Sequence, residues 1–401
     1  MVVKSEYKLS EVGLIPSDWS CVSLETITSR IGDGLHGTPN YKLNGEYPFI
    51  NGNNLVDGSI VVTSDTKMVE YSEFIRHQKP LNKSSILMSI NGTIGNLALF
   101  ADEKIMLGKS AAYLNVKPEI NRKFIYYILQ SKSIRKFFFN GLTGSTIGNL
   151  GLSTIRQTYI PLPSPDEQRS IALTLNDIDS LIKKLERLIL KKRNLKQAAM
   201  QQLLTKKIRL SEFNKEWEEK TLIEIANISK GHQLDNNEIN PNGDIPHYNG
   251  GMQPSSFTDH YNKPANTIVI SEGGNSCGFV QFIDKPFWCG GHCYAILPNF
   301  LDNQFLFHAL KGKQSEIMKL RVGSGLPNIQ KTSLGLLKVK FPKDPLEQRA
   351  IAKILSDMDM ELEVFEERRD KTLNIKQSIM QDLLSGKKRL MKLEEKDVQT
   401  T

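Results

Sequence analysis

The sequence predicts an α+β protein in which two mixed α/β globes are separated by two long helices that pair as an antiparallel coiled coil with pseudo-two-fold symmetry. Three observations predict this class. One segment of about 46 residues occurs twice, both copies carry a helical seam of apolar residues, and short apolar runs between turn residues precede each copy. The predicted order is therefore globe, helix, globe, helix.

The repeat relates residues 165–210 to residues 345–390 by a constant offset of 180 positions. About 21 of the 46 aligned positions are identical, and the alignment needs no gap. An internal duplication of this kind indicates one structural unit used twice. Two helices with matching apolar stripes most simply pack against each other, and the long segments between them favour an antiparallel pair.

Both copies begin with the signal of a helix N-terminus. Ser164 and Asp344 supply a capping oxygen, a proline follows at the first helical position, and a glutamate stands three residues after the cap, as in a capping box. The helices are predicted to end near Leu204 and Leu384, which makes each a rod of ~60 Å. Apolar residues alternate at spacings of four and three, as in a coiled-coil seam, at Ile171, Leu175, Ile178, Ile182, Leu185 and Ile189 and at Ile351, Leu355, Met358, Leu362 and Phe365.

The two globes diverge in sequence but begin and end alike. Both open with Leu-Ser-Glu followed by a tryptophan, and both close with a loop that contains Gly-Ser. Within each, we predict one pair of strands around a Gly/Asn turn, in SSILMSINGTIGNLALF and NTIVISEGGNSCGFVQF. The helices predicted inside the globes lie in NRKFIYYILQSKSIRKFFF and DNQFLFHALKGKQSEIMKL.

Composition favours a protein of the cytoplasm with an anionic partner. The 401 residues suffice for two or three domains, and no run of ~18 apolar residues or secretory signal occurs, so no membrane partner is expected. An excess of 52 basic over 44 acidic residues gives a net charge of +8. The excess is concentrated between Lys183 and Arg209, where a solvated helix face and phosphate contacts explain the charge equally well.

Two segments resemble catalytic motifs but fit them poorly. Residues 108–110 are the Gly-Lys-Ser of a phosphate-binding loop, but Glu103 replaces the required earlier glycine and a strand is predicted to follow. Asp166 and Glu167 could belong to an acidic nuclease cluster, but they fit the first turn of a capped helix better. No catalytic residue is therefore predicted in either segment.

The four cysteines are predicted to be reduced thiols. Cys289, His292 and Cys293 lie within five residues of one another, but their spacing matches no usual zinc pattern, so no metal site is predicted and the thiols are expected to be buried on a strand. The sequence also contains no Asn-Pro-Pro-aromatic motif of an amino-methyltransferase and no recognisable Ser/His/Asp set. We therefore predict a protein that binds rather than catalyses.

Polar loops at equivalent places in the two globes form the predicted binding surface. Short amide and hydroxyl side chains can bond base edges, glycines let the backbone approach phosphates, and Lys or His can neutralise them. A plain turn between strands explains any single loop equally well, but recurrence in both globes favours DNA binding. The candidate DNA-binding residues are His36, Asn40, Asn91, Thr93, Lys109, Ser145, Thr146 and Asn149 in the first globe and Lys230, His232, Asn249, Asn275, Ser324 and Asn328 in the second.

Pro-x-Glu-Gln-Arg opens each long helix and Lys-Gln-x-x-Met-Gln-x-Leu-Leu lies near its end. With these motifs around variable globes, essentially the whole chain resembles the specificity subunit of type I restriction-modification systems. The resemblance implies two target recognition domains, residues 1–163 and 211–343, each contacting half of an asymmetric DNA sequence in the major groove. It also implies shared helical regions, residues 164–210 and 344–390, before a polar tail at 391–401. Gln168, Arg169, Gln348 and Arg349 are candidate partner-docking residues, because neither the helix caps nor the apolar seam requires them. Pairs within the helix explain the two arginines equally well.

The resemblance further implies that the chemistry belongs to partner chains, so no cofactor is expected on this one. Two modification subunits would methylate adenine with S-adenosylmethionine, and restriction subunits would cleave double-stranded DNA with ATP and Mg²⁺. A rod of ~60 Å exceeds one turn of DNA, ~34–36 Å, so the globes could contact successive faces of one duplex. Two alternatives remain open: a methyltransferase or nuclease acting alone, and a coiled-coil scaffold without DNA contact.

Overall fold

The computed structural model describes residues 7–143, 148–323 and 325–390, and the chain divides into two compact units. Unit 1 consists of Met1–Lys184 and Arg369–Thr401, and unit 2 consists of Leu185–Arg368. The boundaries between the units fall inside both long helices. Each unit therefore combines one globe with part of each helix, whereas the sequence boundaries separate globes from helices.

The two long helices are confirmed, and the other helices are short. The helices are α1 (Leu24–Ile27), α2 (Tyr71–Arg76), α3 (Arg122–Leu129), α4 (Lys132–Asn140), α5 (Leu152–Arg156), α6 (Pro165–Leu203), α7 (Leu222–Ile225), α8 (Asn303–Gly312), α9 (Gln314–Lys319), α10 (Lys331–Gly335) and α11 (Pro345–Leu384). The backbone N–H of Glu167 lies 3.4 Å from Ser164 Oγ, so the capping oxygen is where the sequence predicts it. Gly386, with a φ of +72°, follows α11 as the predicted stop.

Unit 1 is built on a four-stranded antiparallel sheet with a three-stranded sheet beside it. Its strands are β1 (Tyr7–Ser10), β2 (Gly13–Pro16), β3 (Ser20–Ser23), β4 (Thr28–Asp33), β5 (Tyr47–Ile50), β6 (Leu55–Val56), β7 (Ser59–Ile60), β8 (Met68–Val69), β9 (Ser85–Ser89), β10 (Leu97–Leu99), β11 (Met106–Leu107), β12 (Ala111–Val116), β13 (Leu142–Thr143), β14 (Asn149–Leu150) and β15 (Tyr159–Leu162). The four-stranded order is β10-β9-β12-β4, and the three-stranded order is β11-β5-β8. The antiparallel pair of β9 and β10 confirms the predicted strands around a Gly/Asn turn.

Unit 2 repeats this topology. Its strands are β16 (Trp217–Thr221), β17 (Ala226–Lys230), β18 (Ile245–Tyr248), β19 (Ser256–Thr258), β20 (Thr267–Ser271), β21 (Val280–Ile283), β22 (Trp288–Cys289), β23 (Cys293–Pro298) and β24 (Lys338–Pro342). The four-stranded order is β17-β23-β20-β21, and the three-stranded order is β19-β18-β22. In both three-stranded sheets one neighbouring pair is parallel, β5 with β11 and β18 with β22. The divergent globe sequences therefore form one fold.

In unit 1, the start of α6 runs antiparallel to the end of α11, and both pack on the globe. Ile171 and Leu175 of α6 share a buried apolar core with Leu383 of α11. One to two turns further along α6, the Asp179 carboxylate pairs with Lys376 Nζ at 2.6 Å. Because the contacts advance along α6 as they retreat along α11, the helices are antiparallel.

In unit 2, the end of α6 pairs in the same way with the start of α11. Met200 and Leu203 share an apolar core with Ile351 and Leu355. Ion pairs lie alongside, including Lys192 Nζ with a Glu361 oxygen at 2.6 Å. Each unit therefore confirms the predicted antiparallel coiled coil.

The basic segment of α6 is partly neutralised by the pairing of the helices. Within unit 2, Arg193 binds Glu366 at 2.6 Å, and Lys196 pairs with Asp359. The acidic residues of the second copy therefore include partners for the basic residues of the first copy. Some of the basic excess between residues 183 and 209 therefore stabilises the helix pair instead of remaining available for phosphates.

Candidate nucleic-acid interface

Five polar loops of each globe lie at one end of its four-stranded sheet. This is the end where β4 and β9 finish and β12 begins in unit 1, and where β17 and β20 finish and β23 begins in unit 2. We name the loops of unit 1 A1 (residues 32–40), B1 (51–52), C1 (91–96), D1 (107–110) and E1 (148–149), and those of unit 2 A2 (230–233), B2 (248–251), C2 (272–275), D2 (289–293) and E2 (325–328).

Backbone hydrogen bonds join the loops of unit 1. Leu35 N donates to Leu107 O at 2.7 Å and so attaches A1 to D1. Ile90 N, directly before C1, donates to Ser110 O at 2.9 Å, and Leu150 N, directly after E1, donates to Ile90 O at 2.9 Å. C1 and E1 also form an isolated β-bridge. Loops that the sequence places far apart therefore form one surface.

The loops of unit 2 are joined in the corresponding way. His232 N donates to Cys289 O at 2.9 Å and attaches A2 to D2. Glu272 N donates to His292 O at 2.8 Å and attaches C2 to D2, while C2 and E2 form a β-bridge. Loop D thus contacts both A and C in each globe.

Loops A and D approach each other so closely in both globes that a side chain cannot fit between them. A Cβ placed on Gly34 would lie 2.2 Å from the backbone oxygen of Leu107. A Cβ on Gly231 would lie 2.2 Å from the backbone oxygen of Gly290. These oxygens belong to the main chain and cannot rotate away, so the close contact requires glycine in both globes.

An asparagine of loop B holds loop D in both globes. In unit 1, Asn51 Oδ1 accepts a hydrogen bond from Ser110 Oγ at 2.8 Å, and Gly52 N donates to the same hydroxyl oxygen at 2.9 Å. In unit 2, Asn249 Oδ1 accepts a hydrogen bond from His292 N at 3.1 Å. The side chain that holds the loop is therefore the same, although the residue it holds differs.

The candidate residues of unit 1 differ in how far they are engaged within the globe. His36 Nε2 lies 2.6 Å from Asp33 Oδ2, although the imidazole is exposed. Asn40 donates to Glu73 Oε1 at 3.2 Å. Thr93 and Lys109 are exposed on C1 and D1. Asn91 and Asn149 form the bridge between C1 and E1, and Ser145 and Thr146 lie outside the described residues.

Two candidates of unit 2 are engaged inside the loop cluster. Lys230 Nζ forms an ion pair with Glu272 at 2.7 Å, and the hydroxyl of Tyr294 donates to the same carboxylate at 3.1 Å. Burial, followed by the charge of Glu272, raises the pKa of Tyr294 to about 12, so the hydroxyl stays protonated. Asn249 holds loop D2. The remaining candidates His232, Asn275 and Asn328 are exposed, and Ser324 lies outside the described residues.

Three residues of these clusters are missing from the sequence-based candidates: Asn51, Ser110 and His292. A signal for them is present in the sequence, because residues 107–111 and 289–293 carry a glycine at the same position and align with an offset of 182. The first segment resembles a nucleotide loop and the second resembles a zinc cluster. When each is compared only with its own motif, the similarity between the two segments is not apparent. The strand β12 follows D1 directly and confirms the strand that the sequence predicts there, where a nucleotide loop would be followed by a helix.

The thiols of loop D2 are buried, as the sequence predicts. Cys293 Sγ accepts a hydrogen bond from Gly250 N at 3.0 Å. A hydrogen bond between the two thiols lowers the pKa of Cys293 and raises the pKa of Cys289.

The described residues contain no group of three or more His, Cys, Asp or Glu side chains that could hold a metal ion. Within the same residues, no helix is both long and apolar enough to cross a membrane.

The glutamine at the start of each long helix attaches the helix to its globe. Gln168 is 1% exposed, its Oε1 accepts from the backbone N of Asn121 at 3.0 Å, and its Nε2 donates to Pro163 O at 2.9 Å. Gln348 makes the same two bonds, at 2.8 Å each, to the N-cap of α8 and to the end of β24. Both glutamines therefore have a role inside their units. Arg169 and Arg349 are exposed, and docking by these four residues stays a prediction.

The preceding glutamate of each helix is buried in an ion pair. Glu167 accepts hydrogen bonds from Trp19 Nε1 at 3.0 Å and from two nitrogens of Arg389 at 2.5 and 2.7 Å. Glu347 accepts corresponding bonds from Trp217 and Arg209, at 3.2 Å and at 2.8 to 2.9 Å. Each carboxylate therefore accepts hydrogen bonds from an arginine and a tryptophan. This corrects the sequence prediction, in which the glutamate side chain bonds the backbone N–H of the N-cap residue in a capping box.

The fold and the loop clusters define a protein of two equivalent domains, each with one polar loop cluster at the end of its four-stranded sheet. A family model described as Type I restriction modification DNA specificity domain matches residues 16–192 and 214–374. The chain belongs to this family and carries two copies of the domain. The resemblance seen in the two helix motifs is thereby confirmed.

Relatives and solved structures agree with this assignment. The type I restriction enzyme MjaIX specificity subunit of Methanocaldococcus jannaschii is 24% identical over 388 residues, which cover 86% of this chain and 88% of that protein. A protein named as a type I specificity subunit in Mycoplasma genitalium is 37% identical over 163 residues, 40% of this chain. The chain spans 42% to 43% of the length of the first curated relatives it matches. The crystal structure of a type I restriction-modification S subunit from M. genitalium superposes with a TM-score of 0.67 at 25% identity and covers 94% of this chain and 98% of that chain.

Proposed function

We propose that the chain is the non-catalytic DNA-recognition subunit of a type I restriction-modification complex. Each globe contacts one half of an asymmetric, bipartite DNA sequence through its loops A to E. The observation that carries this proposal is the pair of equivalent loop clusters whose exposed side chains differ. Base edges are distinguished by their hydrogen-bond donors and acceptors. Two globes with the same backbone fold but different exposed side chains can therefore recognise two different half-sites.

In this proposal the helices fix the distance between the half-sites and dock two modification subunits, with the exposed Arg169 and Arg349 as contact candidates. The modification subunits methylate adenine with S-adenosylmethionine, and restriction subunits use ATP and Mg²⁺. The names of the relatives as specificity subunits support this division of labour. A role on cellular DNA places the chain in the cytoplasm.

Adenine-methylation mapping tests the proposal. In cells that express the chain with its modification subunit, the methylated sites are expected to share one sequence with two different halves at a fixed spacing. Exchanging residues 20–160 for the globe of a relative should change one half only. An unchanged target would favour a scaffold without DNA contact, and methyl transfer by the purified chain alone would favour an enzyme.

The variant Lys109→Ala is expected to bind its target DNA at low salt roughly 5-fold more weakly or worse, because the exposed ammonium is the cation that loop D1 presents. Titration of labelled target DNA at several salt concentrations measures the effect. Unchanged affinity together with an unchanged salt dependence would remove Lys109 from the interface.

A further inference from the structure

In loop D1, Lys109 lies between two residues that are held in place. Gly108 N donates to Ile50 O at 2.8 Å on one side. On the other side, the Ser110 hydroxyl donates to Asn51 Oδ1 at 2.8 Å. The Lys109 side chain itself is exposed and makes no ion pair with another described residue. Its backbone is therefore positioned while its ammonium remains available.

Loop D2 presents His292 in a comparable way. The backbone N of His292 donates to Asn249 Oδ1 at 3.1 Å, and its backbone oxygen accepts from Glu272 N at 2.8 Å. The imidazole is exposed, and its ring nitrogens have no hydrogen-bond partner in the described part of the chain. A group on so constrained a backbone loses little conformational freedom when it binds.

Two other charged or imidazole candidates are engaged by carboxylates of their own unit, whereas His232 is exposed on loop A2. His36 contacts Asp33 at 2.6 Å, and Lys230 pairs with Glu272 at 2.7 Å. A DNA contact by either side chain would compete with this existing interaction. Lys109 and His292 meet no such competition.

We propose that Lys109 and His292 are specificity-determining residues, each contacting a base in the half-site of its own globe. This assignment rests on the proposed function. Lys109 has donors only, which match the O6 and N7 acceptors of guanine in the major groove. A ring N–H of His292 can donate to the N7 acceptor of a purine. Asn51 and Asn249 are positioning residues, because Asn51 holds Ser110 next to Lys109 and Asn249 holds the backbone of His292.

Selection from a duplex library with randomised bases in both half-sites tests the assignment on the full-length chain. Wild type is compared with Lys109→Ala and with His292→Ala. Each variant is expected to lose its preference at one base pair of its own half-site, by roughly 5- to 150-fold, while the other half-site keeps its preferences. Lys109→Arg should retain the guanine preference, because arginine donates to the same acceptors.

Lys104→Ala and His260→Ala are matched controls, since each removes an exposed residue of the same type from the same unit outside loop D. Thermal unfolding identifies variants that keep their fold. A loss of affinity that is equal for all sequences would indicate a phosphate contact and overturn the assignment, as would an unchanged base preference. A wild-type chain that prefers no sequence would instead overturn the proposed function.

Discussion

Replacing Glu167 with alanine is expected to lower the free energy of unfolding by about 3 kcal/mol. The carboxylate is 8% exposed and accepts hydrogen bonds from Trp19 Nε1 and from Arg389. Its removal leaves the buried indole N–H without this acceptor. Arg389 would keep its pair with Asp18, whose carboxylate oxygens lie 2.7 and 2.9 Å from the guanidinium nitrogens. Urea unfolding followed by tryptophan fluorescence measures the change.

Two further variants separate the ion pair from a general effect of truncation. Glu186→Ala changes an exposed glutamate of the same helix and should unfold close to wild type. Glu167→Gln keeps an oxygen for Trp19 but removes the charge, so an intermediate loss is expected. If Glu167→Ala unfolds at the same urea concentration as Glu186→Ala, the buried pair does not stabilise unit 1.

The second large effect is expected for Gly34→Ala, which should abolish recognition by the first globe and leave the second globe active. The new Cβ would lie 2.2 Å from Leu107 O and 2.3 Å from Gly108 O, so loop D1 must move and carry Lys109 with it. Affinity for the bipartite site should fall at least ~10-fold, because one half-site loses its base contacts. Binding to DNA mutated in one half-site at a time shows which half is lost.

Gly37→Ala is a control in the same loop A1. A Cβ on Gly37 meets no heavy atom within 4 Å, so this variant should bind like wild type. Full recognition of the first half-site by Gly34→Ala would show that the contact between A1 and D1 does not position the loop. Loss in both variants would indicate that loop A1 needs glycine for another reason.

The sequence by itself determined the two long helices, their seam and the order of globes and helices. Caps, prolines and apolar spacing are local signals, and the helices begin at Pro165 and Pro345 as these signals predict. The strand pairs around Gly/Asn turns are local for the same reason. The repeated motifs also sufficed to identify the family.

Only the tertiary structure decided which polar residues act together. Glu167 looks like half of a capping box in the sequence, but its partner Arg389 lies 222 positions away. Likewise, Gln168 bonds the start of α3, and Asn51 holds a loop 59 positions further along the chain. Side-chain bonds between distant segments depend on how sheets and helices bring them together, and no local periodicity encodes that. Which candidates are engaged and which are exposed, Lys109 and His292 among the exposed ones, therefore depends on the tertiary positions of the loops.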